Sequence, residues 1–433
     1  MRRLPIEIRC PIHGAIRADR DEIRIIDSPY FQRLRGIKQM GFAELAFPGA
    51  THNRYSHSLG AFHMAGLAFR NLFEDFEWNS PEEMKRIWSV LRLSALLHDV
   101  GHGPLSHAIE QAMPSKALIT EGSGKASHED YSRAILLRSS LTPLIEGIFG
   151  KEMPLAIASV VQGQDLCPGF FSVGRSQQSV LPAVSSLISG EIDVDRMDYM
   201  KRDSLHCGTT YGNYDQDWIF SNLLLHENQD QLHLAIDSRA LYAIEDFLLS
   251  RYHMYLMVYL HHKAVVYDEM LYQFLQTDEE QTKVPHDIKA YLEVDDYWLQ
   301  TRLRASKNPW ARRIVEQKPY RLLLELHSDE AEESIRYADD LEDRLKKENI
   351  PYFRSSSTGL LSRTFETGKP LTKSFPLYIV YRDPRFVSAS RPQNRAEALS
   401  EASDLFQGYH KKRIIDRIYA DAEPHNWRAE NKN

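Results

Sequence analysis

The run HDVGHGPLSH at residues 98–107 constrains this chain more than any other part of its sequence. It places His98, Asp99, His102 and His107 directly after a largely apolar stretch at residues 91–97. Charged side chains seldom lie against a core helix without a partner, because unpaired burial is costly. A divalent cation is a suitable partner, since neutral imidazole and carboxylate are good ligands for borderline metal ions. The run therefore predicts a metal site at the end of a buried helix.

Length and composition exclude several classes of protein. A chain of 433 residues is too long for one ordinary core, so two or three packed units are expected. No stretch approaches the ~20 apolar residues that cross a bilayer. No apolar signal segment follows the basic start, and three scattered cysteines without a CxxC pair fit a reducing cytoplasm. The net charge of −7 argues against a protein that coats nucleic acid non-specifically, but a local arginine cluster can still bind phosphate.

Apolar spacing and helix caps predict nearly all α-helix for the first ~320 residues. Three helix starts carry a serine cap, and in one of them a glutamate three residues later closes a capping box. The caps are Ser28, Ser80 (with Glu83) and Ser127, and further helical stretches are expected at residues 55–76, 182–205 and 238–276. The helix that begins after Ser80 should end near Asp99, where the polar run lies.

The pattern changes in the last quarter of the chain. Strands rich in aliphatic and aromatic residues are expected at 320–326, 377–381 and 414–419, with a helix at 330–348 and a serine-rich turn at 354–359. A short strand is also expected at residues 6–9. The predicted fold class is therefore mainly α, with a helical core at residues 1–320. A smaller α+β C-terminal region follows at 321–433, and its tail from residue 423 is expected to be loose.

Polar residues at helical spacing lie on three further segments. These are Arg54 with His57, His107 with Glu110, and the stripe of Asp195, Tyr199 and Asp203. A metal site built from helices needs ligands from distant segments, because each helix can present only one or two of them to a point. Asp198 and Arg202, four residues apart, are expected to form an ordinary ion pair, and His13 a structural hydrogen bond.

These motifs, taken in order, resemble the HD-domain phosphohydrolases, and within them the deoxynucleoside triphosphate triphosphohydrolases. The segments that carry the resemblance are PIHG (11–14), IDSPYFQRLR (26–35), KQMG (38–41), FPGA (47–50), HNRYSHSLG (52–60), HDVGHGPLSH (98–107) and IDVDRMDYMKRD (192–203). Other HD branches usually continue HD with Gly-Lys or Glu-Asp rather than Gly-His-Gly-Pro. The resemblance covers roughly residues 10–270, and the SAM domain of the vertebrate members has no counterpart here.

The resemblance implies an HD-domain helical core, with its motifs at about residues 50–205, and one divalent metal ion per site. The implied metal ligands are His57, His98, Asp99 and Asp195. The implied catalytic residues are His102, His107, Glu110 and His128, with His107 as the general acid on the sugar 5′ oxygen. The implied substrate contacts are Arg54, Arg196 and Tyr199 for the triphosphate, Gln39 and Asp203 for the deoxyribose, and Tyr259 nearby.

General chemistry is consistent with these roles. An alkoxide is a poor leaving group unless it is protonated, and a histidine can supply that proton near neutral pH. Arginine forks match phosphate oxygens. Two residues depart from the vertebrate pattern: Glu110 stands in place of Asp, and Arg196 in place of Lys. Both preserve charge, so we expect the chemistry to be retained with altered geometry.

The predicted function is hydrolysis of a deoxynucleoside triphosphate to deoxynucleoside and inorganic triphosphate. Two alternatives stay open: an HD phosphohydrolase acting on a monophosphate or a signalling nucleotide, and a catalytically weak nucleic-acid-binding sensor. Arg54 and Arg196 could also pair with carboxylates rather than substrate. The resemblance further implies a homo-oligomer, dimer or tetramer, and leaves a nucleotide effector at Asp27 and Arg35, and a second metal entering with substrate, as options. Metal identity (Mn, Mg, Fe, Zn, Co or Ni) and base preference stay open.

Overall fold

The structure, a computed structural model, describes residues 5–278, 282–327, 332–359, 375–382, 395–403, 405, 413–424 and 427. It is mainly α, with 55% helix and 16% strand, which confirms the predicted fold class. The chain begins with an antiparallel hairpin of β1 (Ile6–Cys10) and β2 (Gly14–Ala18), where one short strand is predicted. Within the described ranges, no helix combines the length and apolar character needed to cross a membrane.

Twelve α-helices follow along the first part of the described chain. They are α1 (Arg20–Ile26), α2 (Pro29–Gln32), α3 (Arg54–Leu72), α4 (Pro81–Leu97), α5 (His128–Arg138), α6 (Leu141–Phe149), α7 (Met153–Gln162), α8 (Leu181–Ser189), α9 (Val194–Cys207), α10 (Gln216–Ser221), α11 (Leu241–Met254) and α12 (His262–Thr277). Further along lie α13 (Asp296–Ala305), α14 (Pro309–Val315), α15 (Glu332–Lys347) and α16 (Leu399–Ala402). Helices α4 and α9 both pack against α3, and this packing assembles the site described below.

Local caps explain where the central helices begin. Ser80 Oγ accepts the backbone N–H of Glu83, and Pro81 occupies the first turn of α4 as predicted. The Glu83 carboxylate accepts the N–H of Asn79 rather than that of the cap, so only half of the predicted capping box forms. A full capping box does form at α5, between Ser127 and Asp130. The helix predicted after Ser28 is a single turn, which continues as a 3₁₀ turn at Arg33–Gly36.

Two long predicted helices are interrupted. The 182–205 stretch breaks between α8 and α9, where Asp193 caps the second helix through the N–H of Arg196. The 238–276 stretch is divided by a π-helical turn at Tyr255–Tyr259. A hairpin of β5 (Leu223–Asn228) and β6 (Gln231–Asp237) lies between these stretches and was not predicted.

The remaining strands form two sheets. Short strands β3 (Ser172–Val173) and β4 (Gln178–Ser179) join a sheet ordered β10-β9-β6-β4-β3, in which β9 (Tyr378–Tyr381) runs parallel to β6 and β10 (Arg395–Ala398) lies at one end. A second, antiparallel sheet has the order β7-β11-β8. Its strands are β7 (Arg321–His327), β8 (Tyr352–Gly359) and β11 (Arg413–Ala420).

The C-terminal region has its own small core, in which Leu341 and Leu345 of α15 pack with Leu326 and Ile418 of the antiparallel sheet. The predicted serine-rich turn at 354–359 is wrong, because these residues form strand β8. The predicted mixture of helices and strands in the C-terminal region is confirmed. The predicted domain boundary at residue 320 stays a prediction. Most of the tail after residue 423 lies outside the described residues.

Candidate metal centre and histidine cluster

Three helices bring the four predicted metal ligands together. His57 comes from α3, Asp195 from the first turn of α9, and His98 and Asp99 from the end of α4. His57 Nε2 lies 2.9 Å from Asp195 Oδ1 and 3.7 Å from Asp99 Oδ2. His98 Nε2 lies 3.5 Å from Asp195 Oδ1 and 3.3 Å from Asp99 Oδ1. We call these four side chains the metal set.

The metal set fits a divalent ion. Two ligand atoms that are each ~2.1 Å from one ion lie about 3.0–3.4 Å apart at right or tetrahedral angles. The Nε2 atoms of His57 and His98 are buried and lack a hydrogen-bonding partner in the described part of the chain. Two imidazole nitrogens and carboxylate oxygens form a mixed donor set that suits several first-row metals, so this chemistry does not select one of them.

A second layer of residues orients the two imidazoles. His57 Nδ1–H donates to Asp198 Oδ2 (2.8 Å), and His98 Nδ1–H donates to the Ala95 carbonyl oxygen (2.8 Å). Such outer contacts direct the Nε2 atoms at the centre. Asp198 also accepts from His13 Nε2–H at 2.6 Å and from Arg202 at 2.8 Å. The predicted Asp198–Arg202 pair therefore forms, but it is fully buried and supports the site, a role that sequence spacing alone did not reveal.

The pKa values of the metal set depend strongly on the charges of neighbouring side chains. Burial lowers the pKa of His57, but the carboxylates of Asp195 and Asp198 outweigh burial and raise it to about 10. Burial raises the pKa of Asp99, but His98 and Arg54 outweigh this effect and hold it well below the usual range. With its pKa raised in this way, His57 would lose a proton to solvent when a cation binds the set.

The four predicted catalytic residues form a second group, which we call the histidine cluster. The rings of His102 and His128 stack with centroids 3.9 Å apart, and the ring of His107 meets that of His128 edge-on at 5.0 Å. Glu110 Oε1 accepts from His128 Nδ1–H at 2.5 Å and from His107 Nδ1–H at 3.3 Å. His102 Nε2 lies 3.2 Å from Asp99 Oδ1, so the cluster adjoins the metal set.

The cluster places its members in different environments. The His107 side chain is 68% exposed, whereas that of His102 is buried. Burial and the nearby charges of Arg54 and His128 hold the pKa of His102 well below its ordinary value. Burial raises the pKa of Glu110, but His107 and His128 outweigh it and lower that pKa. An exposed imidazole beside an ionised carboxylate can deliver a proton to a molecule at the surface of the site.

Both predicted arginines are partnered within the protein. Arg54 is buried, with Nη1 against Asp99 Oδ2 and Nε donating to Ser106 Oγ (3.0 Å). Arg196 Nη1 donates to the carbonyl oxygens of Gly190 (2.7 Å) and Glu191 (3.0 Å). Their roles in holding a triphosphate stay predictions.

The stripe on α9 leads from the metal set to a second buried carboxylate. Asp203 accepts from His52 Nε2–H (2.6 Å) and from the hydroxyl of Tyr259 (2.8 Å). Tyr199 lies between them, its ring 6.3 Å from that of His57 and 6.1 Å from that of Tyr259. The backbone N–H of Gln39 donates to the His52 carbonyl oxygen, and its side-chain oxygen is buried. His52 was missed by sequence reasoning, although it opens the HNRYSHSLG segment.

Comparison with known proteins finds two families that match parts of this chain. Residues 54–202 match the HD domain family, and residues 215–351 match the HD associated region. The chain therefore contains an HD domain followed by an HD associated region.

Several curated proteins and solved structures are similar to this chain. The chain is 31% identical to the deoxynucleoside triphosphate triphosphohydrolase SAMHD1 of Homo sapiens, over 63% of this chain and 44% of that protein. It is 31% identical to the uncharacterized protein MJ1154 of Methanocaldococcus jannaschii, over 73% of this chain and 59% of that protein. A crystal structure of a hypothetical protein from Aquifex aeolicus superposes with a TM-score of 0.73 at 26% identity and covers 98% of both chains. The chain spans about half the length of the curated relatives it matches.

Proposed function

We propose that this protein hydrolyses deoxynucleoside triphosphates to deoxynucleoside and inorganic triphosphate. The observation that carries the proposal is the metal set lying directly beside a histidine cluster whose His107 faces solvent. A divalent ion in this set would offset phosphate charge and make water a stronger nucleophile at neutral pH. The similarity to a human protein named for this activity supports the same reaction class.

The residues of the cluster suit the departure of the nucleoside. Water attacks the α-phosphorus, the bond from that phosphorus to the 5′ oxygen breaks, and His107 donates a proton to the departing oxygen. Glu110 holds the opposite ring nitrogen of His107 and stabilises the protonated imidazole before transfer. The hydrogen-bonded pair of Asp203 and Tyr259 would accept a 3′ hydroxyl, with Gln39 beside it.

The proposal extends to the assembly and its setting. We propose a homo-oligomer, which the family resemblance implies, and a cytoplasmic location, which the three scattered cysteines fit. A nucleotide effector is a separate option: Asp27 caps the end of α1, and the guanidinium of Arg35 stacks 3.6 Å from the centre of the Tyr55 ring. Adding GTP to the assay tests this option directly.

Product analysis tests the proposed reaction. The purified chain is incubated with each of the four deoxynucleoside triphosphates and Mn²⁺ or Mg²⁺, with and without GTP, and the products are separated by ion exchange. We expect deoxynucleoside and inorganic triphosphate in equal amounts, and neither from Asp195→Ala. Release of pyrophosphate or phosphate, or no turnover in any of these mixtures, contradicts the proposal.

One observation favours a second candidate, an HD phosphohydrolase acting on a nucleotide with fewer phosphates. Arg54 and Arg196 are both bound to groups of the protein, which leaves fewer free cations for three phosphates. Turnover of a monophosphate or a signalling nucleotide, but of no deoxynucleoside triphosphate, would establish this candidate. A nucleic-acid sensor is disfavoured by the net charge of −7, and a salt-dependent mobility shift with single-stranded DNA would revive it.

A further inference from the structure

The HD associated region contacts the loop that carries two members of the histidine cluster. We call residues 100–107 the HD loop and residues 290–296 the anchor segment. The hydroxyl of Tyr291 donates to the Gly101 carbonyl oxygen (2.8 Å). Asp296 Oδ1 accepts the backbone N–H of Leu105 (2.8 Å), and its Oδ2 accepts that of Lys38 (2.9 Å). The anchor segment thus holds the HD loop near both of its ends.

A buried arginine joins the two segments from a third side. Arg33 donates from Nη2 to the carbonyl oxygens of Val100 (2.9 Å) and His102 (2.6 Å), and from Nη1 to that of Val294 (2.6 Å). Its guanidinium lies 4.6 Å from the centre of the Tyr291 ring. A buried cation is costly unless its hydrogen bonds are kept, so this arrangement resists displacement of the loop.

The HD loop needs such support because its backbone is strained. Leu105 and Ser106 both have left-handed conformations, with φ of 53° and 61°. For residues with a Cβ, this conformation costs roughly 1–2 kcal/mol each. Asp296 holds the first of them, and Ser106 Oγ is held by the Lys38 carbonyl oxygen and by Arg54. The strained pair directly precedes His107, so its conformation sets where that imidazole lies.

We propose that Tyr291 and Asp296 of the HD associated region, with Arg33 as a bridge, position the HD loop so that His102 and His107 meet His128 and Glu110. They are positioning residues, since their hydrogen bonds reach the loop backbone rather than the metal set. This inference rests on the proposed function and deepens it by assigning a role in turnover to the second region of the chain. Removing the contacts should disorder the cluster and leave the metal set intact.

The test compares two variants of the full chain with a matched control. Asp296→Ala removes the contacts of that carboxylate with the N–H groups of Leu105 and Lys38, and Tyr291→Phe removes one hydroxyl. Glu293→Ala is the control, because this carboxylate lies in the same segment and is exposed to solvent. Hydrogen exchange of the loop peptides, divalent ion affinity by calorimetry, and kcat with KM for the hydrolysis are measured for each.

We expect faster exchange at residues 100–107 and a fall in kcat of about 100-fold for Asp296→Ala, since a misplacement of ~1 Å can cost this much. Tyr291→Phe should show the same changes to a smaller extent, with ion affinity and KM nearly unchanged in both. Glu293→Ala should keep wild-type loop exchange and kcat.

Two results would overturn the inference. One is unchanged loop exchange in both variants. The other is a loss of ion affinity that matches the loss of kcat, which would show a general structural defect. If Asp296→Ala does not fold, Tyr291→Phe decides, because it removes a single oxygen. If the wild type hydrolyses no deoxynucleoside triphosphate, the proposed function fails, and the exchange data still decide whether the anchor segment holds the loop.

Discussion

The metal set and the histidine cluster adjoin each other, but the protein supports them differently. The metal set lies on three α-helices, and its backing residue Asp198 belongs to the same HD domain. The cluster lies partly on a strained loop that is held by residues about 190 positions downstream, such as Tyr291. Under the proposed function, ion binding and proton delivery are therefore supported by different parts of the chain. Changes in one should leave the other measurable.

The metal set and the histidine cluster also differ in side-chain exposure to solvent. The His57 side chain is fully buried, whereas that of His107 is 68% exposed. A ligand must be held still, since the ion demands short and directed bonds. A general acid must reach a molecule that arrives from solvent.

The largest effect is expected from Asp195→Ala. It removes the carboxylate that lies closest to His57 Nε2, so bound metal and turnover should both be lost while the helical fold is kept. Metal analysis, an activity assay and circular dichroism check the three expectations. Asp217→Ala, on the exposed face of α10, is the control. A variant that keeps metal and full turnover would show that Asp195 is not a ligand.

His107→Ala tests the proposed role of the histidine cluster. Loss of a general acid should lower kcat by about 10²–10⁴-fold, while metal content stays at the wild-type level because His107 is not in the metal set. Kinetics and metal analysis on one preparation separate the two quantities. His286→Ala, an exposed histidine on another surface, serves as the comparison. An equal fall in metal content and in kcat would reassign His107 to ion binding.

Gly60→Ala tests the support of the metal set without touching a ligand. A Cβ at Gly60 of α3 would lie 1.8 Å from Asp198 Oδ1 and 2.4 Å from Arg202 Nη2, so the pair must shift. We expect ion affinity to fall about 10–100-fold, as for other changes in outer-layer contacts. Overpacking should also cost about 1–3 kcal/mol of unfolding free energy.

Gly147→Ala is the matched control for this change. Gly147 also lies within a helix, α6, and a Cβ there meets nothing within 4 Å. This variant should gain about 0.5–1 kcal/mol of stability and keep wild-type ion affinity. Calorimetric titration and urea unfolding measure both quantities. Equal ion affinities in Gly60→Ala and Gly147→Ala would show that Asp198 does not support the metal set.

The sequence revealed the parts of the site that local signals encode. Candidate metal ligands could be picked out because polar residues follow an apolar helix with a serine cap and because Asp195 opens a stripe with a period of four, while the family resemblance implied the full set of four. The β5–β6 hairpin was not visible, since Gln229 and Asp230 form its two-residue turn with positive φ but lack the usual Asn-Gly signal. Local patterns therefore indicated candidate ligands but not every element around them.

Long-range support could not be predicted from spacing. Whether the Asp198–Arg202 pair faces solvent or His57 depends on how α3 and α9 pack, and no local pattern encodes this. The contacts of Asp296 with Leu105 join residues 191 positions apart. Such contacts follow from tertiary packing, and only the structure shows them.

Proton release on ion binding is the smallest expected effect, and it distinguishes the metal set from the histidine cluster. The pKa of His57 is raised to about 10, since Asp195 and Asp198 outweigh its burial, so this imidazole is protonated in the ion-free protein at pH 7–9. A ligating imidazole must be neutral, and ion binding therefore expels that proton. Ion affinity should rise about tenfold per pH unit for each proton released.

His102 should add nothing to this count. The pKa of His102 lies well below its ordinary value, so His102 is neutral both with and without the ion. The raised pKa of His57 also makes the folding stability of the ion-free protein depend on pH. The contribution of His57 to folding is complete below its ordinary pKa of 6.5 and is lost as the pH rises towards 10. The ion-free protein should therefore become less stable over this range. Calorimetry at pH 8 in two buffers of different ionisation enthalpy counts the protons, and a count of zero would place a neutral His57 in the ion-free site.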